Sequence, residues 1–182
     1  MSESVGGHSV LQLIEERARR NADAPAILAP GRRPLTYGRL RRHVADVVAA
    51  LNALGVGRHE RVATVIPDGP DMAVACLAIA AGATCAPLNP ASHAGEFEAH
   101  LLRLRCRALV VPAGSASPAA AVARGCGIPV IELIPAPEGE AGLFTLCRGM
   151  ADGPEPRDLT IGVAEPGDVA LVLHTSGTAA RP

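Results

Sequence analysis

The sequence predicts an α/β fold: a layered, mostly parallel sheet flanked by helices. Three observations point there. Short apolar runs alternate with segments of helical periodicity, the order that βαβ units require. Runs such as RVATVI (61–66) and ALVV (108–111) are apolar throughout rather than alternating, as strands covered on both faces are. Prolines and glycines fall at the junctions between these segments, where they end strands and helices.

The elements follow in chain order. Residues 10–20 form an amphipathic helix with Leu11, Ile14 and Ala18 on one face and mostly Glu and Arg on the other. Residues 25–28 are a short strand, and Pro30-Gly31 marks a turn. Thr36 is an N-cap for a long helix ending near Leu54-Gly55, with Leu40, Val44, Val47, Val48, Leu51 and Leu54 at helical spacing. A strand over 61–66 is closed by Pro67. A helix over 69–81 is apolar nearly all round and should be buried on most sides, with Gly82 placed as a left-handed C-terminal residue. Residues 84–86 are a strand, followed by a loop bracketed by Pro87 and Pro90. A helix over 94–105 turns Phe97, Leu101 and Leu104 inward. Strands at 108–111 and 129–133 flank a helix at 119–125. The Pro/Gly/Glu-rich stretches 135–142 and 151–157 read as surface loops, and 169–173 is the final strand. No repeat, coiled coil or long linker divides residues 1–182 into further domains.

Composition narrows the function. Hydrophobic residues make up 48%, enough for a sizeable core. A net charge of -1 gives no electrostatic reason to expect nucleic acid or an anionic membrane as partner. The most apolar stretch, 72–86, is too short to span a bilayer, and the N-terminus lacks a signal-peptide pattern. Cys76, Cys85, Cys106, Cys126 and Cys147 contain no C-x-x-C pair, so they read as small buried or half-buried thiols in a reducing cytoplasm. All seventeen basic residues are arginine, so chemistry that needs a lysine must take it from outside this sequence.

The strongest candidate for chemistry is the turn after the last strand: Thr175, Ser176, Gly177 and Thr178. Its hydroxyls and amides suit phosphate oxygens, and Gly177 lets the backbone approach an anion closely. The same tetrapeptide is also an ordinary strand-exit turn, and no Walker A pattern is present. His174 lines an active site beside the turn or simply ends the strand. His8, His43, His59, His93 and His100 have no metal-ligand spacing and read as surface residues. Asp68 and Asp71 read as supports for a turn and for the positive end of a helix, Asn89 as loop-forming, and Arg103, Arg105 and Arg107 as a solvated helix end. No metal site is predicted, and no catalytic residue.

Three motifs carry a family resemblance: LTYGRL (35–40), LAIAAGATCAPLNP (77–90) and LVLHTSGTAARP (171–182). In this order and spacing they resemble the adenylate-forming, AMP-binding acyl-CoA synthetase superfamily, whose phosphate loop usually reads T-S-G-T-T-G-x-P-K. APLNP followed by EFEAHL, and the histidine before TSGT, are similar to the oxalate–CoA ligase-like branch. The resemblance implies the N-terminal part of the synthetase large domain, ending at the phosphate loop. It implies ATP, Mg²⁺ and CoA as cofactors, a small carboxylate as substrate, and phosphate contacts from Thr175, Ser176, Gly177 and Thr178. The chain departs from the pattern at Ala179 and Ala180. At Arg39 an acid would complete a capping box with Thr36. The family's magnesium-binding glutamate, ribose-binding aspartate and catalytic lysine come from later sequence. The expectation is therefore a chain inactive by itself, with a non-catalytic truncated paralogue as the alternative.

Overall fold

Local chemistry sets the helix starts. The computed structural model describes residues 7–149 and 160–173. Helix α1 (Val10–Arg20) opens on a reciprocal cap: Ser9 Oγ accepts from the Gln12 N–H, and Gln12 Oε1 accepts from the Ser9 N–H. Strands β1 (Pro25–Ile27) and β2 (Leu35–Thr36) make a small antiparallel pair. Thr36 then caps α2 (Tyr37–Ala53), accepting from the Arg39 N–H at 3.3 Å; no acid stands at 39 to return the bond. The helix stops before Gly55, whose φ of 80° needs no Cβ-bearing residue.

Strand β3 (Arg61–Thr64), helix α3 (Pro70–Ala80), strand β4 (Thr84–Pro87), helix α4 (Ala94–Arg103), strand β5 (Ala108–Pro112), helix α5 (Pro118–Gly125) and strand β6 (Val130–Pro135) follow, with β7 (Phe144–Arg148) last. The sheet order is β4-β3-β5-β6-β7; the first four strands are parallel and β7 is antiparallel to β6. Handedness places the helices. The crossover β3–α3–β4 moves toward one edge, while β4–α4–β5 and β5–α5–β6 move toward the other. Right-handed connections therefore put α3 on one face and α4 with α5 on the opposite face. Side chains alternate accordingly. Val62, Cys85, Val110 and Ile131 pack on α1, α2 and α3, whereas Ala63, Ala86, Leu109 and Val130 pack on α4 and α5. The α/β fold and its layered sheet are as predicted, with one antiparallel strand added.

Several expectations change. Strand β7 lies where the sequence suggested no element. Gly82 has no positive φ: helix α3 ends at Ala80 with Ala81 as its C-cap at φ -80°, and a Cβ at Gly82 would sit 2.8 Å from Val48 Cγ1. The glycine makes room for α2 instead. Helix α4 ends at Arg103, and Arg105 is left-handed at φ 50°. Arg107 is half-buried, its Nε donating to the Gly55 carbonyl at 3.1 Å, so it is not a solvated helix end. His43 is buried at 8% exposure and packs edge-on against Phe144, with ring centroids 4.8 Å apart. Position 43 lies three residues after Leu40 and four before Val47, which puts it on the buried stripe of α2.

Candidate functional site

Thr175, Ser176, Gly177, Thr178 and His174 lie outside the described residues, as does the loop 151–157. What the structure gives is the approach to them. Residues 160–173 return along β4, the sheet edge opposite β7, with the Thr160 carbonyl accepting from the Arg58 N–H at 2.9 Å. Arg58 fastens this return: Nε and Nη2 donate to Asp168 Oδ2 and Oδ1 at 2.9 and 3.2 Å, and Nη1 donates to Glu165 Oε1 at 2.6 Å. The Arg58 guanidinium, with the Glu165 N–H, holds the Asp168 carboxyl below its usual range. The Ala164 N–H donates to the Ala81 carbonyl at 2.7 Å.

Residues 169–173 were expected to form a full strand. They form a single parallel bridge, Leu171 to Cys85. The Cys85 N–H donates to the Ala170 carbonyl and the Val172 N–H to the Cys85 carbonyl, both at 2.9 Å, while Thr84 Oγ1 donates to the Val169 carbonyl at 2.7 Å. Ala170 and Val172 are part-buried at this edge, Ala170 against the core on the α1–α3 side and Val172 against the core on the α4–α5 side. Val169, Leu171 and Leu173 are left 60%, 46% and 67% exposed.

Because the bridge is parallel, the chain leaves residue 173 at the carboxyl end of the sheet. That is the end where open α/β sheets bind ligands. Two loops stand at the same end. Residues 65–69 lead to Gly69, whose φ of 152° opens the way into α3; Asp71 lies in that helix's first turn, as expected, with Oδ1 buried and unpartnered. Residues 88–93 contain Asn89, whose Oδ1 accepts from the Ala91 N–H at 2.9 Å, and His93, which caps α4 in a reciprocal box with Glu96. His93 and His59 are exposed, as expected; His59 Nδ1 lies 3.6 Å from Asp168 Oδ1. Strands β3 and β5 are neighbours whose connections depart in opposite directions, so the topological switch point lies between their carboxyl ends.

Two clefts lie elsewhere. One of 630 Å³ sits between α1 and α2 and includes Arg19, Arg39, Arg41 and Arg42; one of 390 Å³ is lined by His43, Val47, Leu143 and Phe144. Neither includes a residue of loops 65–69 or 88–93. Among the described residues no group of three or more His, Cys, Asp or Glu comes together to hold a metal ion. Nor is any described helix long and apolar enough to cross a membrane.

All five cysteines are free thiols: Cys85 and Cys106 are buried, and Cys76, Cys126 and Cys147 half-buried. Burial pushes the Cys106 thiol up to about 11. One contact was not foreseen. Cys76 on α3 and Cys85 on β4 bring their sulfurs within 3.6 Å. The signal was the tight return 81–83, which folds the end of α3 back on β4.

A mostly parallel sheet with helices on both faces is an open α/β architecture, which binds ligands at the carboxyl ends of its strands. The chain belongs to the AMP-binding enzyme family, whose model matches residues 14–182. It is 35% identical over 182 residues to "Probable CoA ligase CCL9" of Humulus lupulus, covering 93% of this chain and 32% of that protein. It is 32% identical over 173 residues to the oxalate–CoA ligase of Arabidopsis thaliana, covering 93% of this chain and 33% of the relative. Its fold is like that of ATP-bound MatB from Rhodopseudomonas palustris, with TM-score 0.69 and 22% identity over 96% of this chain and 33% of that one. The chain thus spans about a third of the length of these relatives.

Proposed function

We propose that this chain supplies the phosphate-binding side of the ATP site of an acid–CoA ligase, in the oxalate–CoA ligase-like branch. The observation that carries the reading is the path of residues 160–173. Pinned by Arg58 and bridged to Cys85, they lead toward the T-S-G-T turn at the carboxyl end of a parallel sheet. In this reading Thr175, Ser176, Gly177 and Thr178 donate hydroxyl and amide hydrogens to the β- and γ-phosphates, and His174 stands beside them. Held there, ATP presents its α-phosphorus to a carboxylate oxygen. The P–O bond to pyrophosphate breaks as the acyl–adenylate bond forms. The CoA thiol then displaces AMP from the acyl carbon. Magnesium, when bound, neutralises the phosphate charge; no described residue of this chain is assigned to it or to CoA.

All cationic side chains here are arginine. The reading therefore holds that the chain binds nucleotide but does not form adenylate by itself. Titration calorimetry with ATP tests the first half: millimolar or tighter binding that weakens in Thr175→Ala supports it, and absence of binding leaves the non-catalytic remnant. Carboxylate-dependent ATP–pyrophosphate exchange by the isolated chain would overturn the second half.

A further inference from the structure

We propose that Cys76 and Cys85 are a reversible redox pair, a dithiol that peroxide converts to an internal disulfide fastening α3 to the edge strand β4. The two sulfurs are 3.6 Å apart, so a closure of about 1.5 Å reaches disulfide length. Their settings are unequal. Cys76 is half-buried and open to a small oxidant, whereas Cys85 is buried beneath it. The Cys85 S–H donates to the Cys76 sulfur, which holds the Cys76 thiol below its ordinary value; the same hydrogen bond and burial push Cys85 up. This asymmetry assigns the steps. The Cys76 thiolate attacks one oxygen of hydrogen peroxide, the O–O bond breaks, and the departing hydroxide takes a proton to become water. The Cys76 sulfenic acid is then attacked by the Cys85 sulfur. The S–O bond breaks, and the hydroxyl leaves as a second water with the Cys85 proton. Two thiols are oxidised and one peroxide is reduced; a dithiol reductant reverses the change.

Placement gives the pair its interest. Cys85 is the residue whose own N–H and carbonyl hold Ala170 and Val172. A bond at its side chain therefore ties α3 to the point where residues 169–173 join the sheet. This inference stands independently of any nucleotide site.

Trypsin provides a clean assay, because residues 62–103 are one tryptic peptide containing Cys76, Cys85 and no third cysteine. The 182-residue chain is treated with hydrogen peroxide, alkylated in denaturant and digested. The expected result is a loss of about 2 Da in that peptide with no alkylation, reversed by dithiothreitol and formed about tenfold faster than any oxidation of half-buried Cys126. Oxidation of Met72 in the same peptide adds mass and is told apart by sign. In Cys85→Ser the Cys76 sulfenic acid should persist and react with dimedone. The unmutated chain gives an arm free of folding effects: phenylarsine oxide, which bridges paired thiols, should bind once per chain and protect both cysteines of this peptide. The proposal is overturned if the oxidised peptide keeps two alkylatable thiols, if Cys76 proceeds to sulfinic acid without a crosslink, if either cysteine pairs outside the peptide, or if the arsenical leaves both thiols reactive.

Discussion

Replacing Gly82 by alanine tests whether this glycine is required for space or for backbone freedom. Its φ lies outside the left-handed region, so the backbone accepts alanine. The added methyl would meet Val48 Cγ1 at 2.8 Å, Cγ2 at 3.0 Å and Cβ at 3.3 Å. Carbon atoms rest about 3.5–4.0 Å apart, so Val48 must give by up to about an ångström. Val48 is 3% exposed, inside the packed α2–α3 contact, and has little room to move. Overpacking of this kind costs about 1–3 kcal/mol. Removing a glycine from the unfolded chain returns about 0.4–1 kcal/mol. The net expectation is destabilisation of about 1–2 kcal/mol. Val48→Ala alone loses two methyls, about 1.6 kcal/mol of transfer energy before any cavity term. In the double variant the methyl added at position 82 occupies the space vacated at position 48, so the combined loss should fall short of the sum by about 1–2 kcal/mol. Urea unfolding followed by far-UV circular dichroism is the assay, since the chain has no tryptophan. A Gly82→Ala chain as stable as the parent, or strictly additive losses, would refute the steric argument.

Three further outcomes are expected. Burial lowers the His43 pKa, with Asp46 opposing and Arg39 adding to the shift, so the folded state binds fewer protons than the unfolded one. Stability should therefore fall as pH drops below about 6.5, and His43→Leu should flatten that slope in urea midpoints; an unchanged slope would show that His43 is not its source. Asp168→Asn should loosen residues 169–173, speeding hydrogen exchange at the Val172 amide by about fivefold; equal rates would mean that the Arg58 clamp does not hold the segment. The exposed face of Val169, Leu171 and Leu173 should drive self-association of this chain, and changing all three to serine should raise the monomer fraction in light scattering. A sharp monomer peak from the parent chain would count against this.

Much of the fold was legible because it is written in local periodicity. The apolar spacing from Leu40 to Leu51 specifies α2 and its buried face, and the unbroken apolar run at β5 specifies a strand covered on both sides. What escaped depends on distant partners. Strand β7 is five residues, mostly part-exposed, and its pairing with β6 across the turn organises it. Gly82 looked like a helix terminator because its constraint comes from Val48, thirty-odd positions earlier. His43 was assigned by residue type although its position belonged to the apolar stripe. The candidate turn was legible as a motif, but the single bridge that leads to it was not. Strand-like composition at 169–173 does not say how far the segment pairs along the edge of β4.

The alternation along β3 also has a consequence for how this chain tolerates change. Val62 belongs to one packed compartment and Ala63 to another, with the sheet as the wall between them. The buried apolar residues of α2 and of α4 fall in different clusters, so the energetic effects of substituting them should simply add. The two sides can accumulate variation independently, one adjusting around Val48 and Val74 while the other adjusts around Phe97 and Leu101. The sheet backbone borders both compartments, so positions whose change shifts a strand constrain the two histories together.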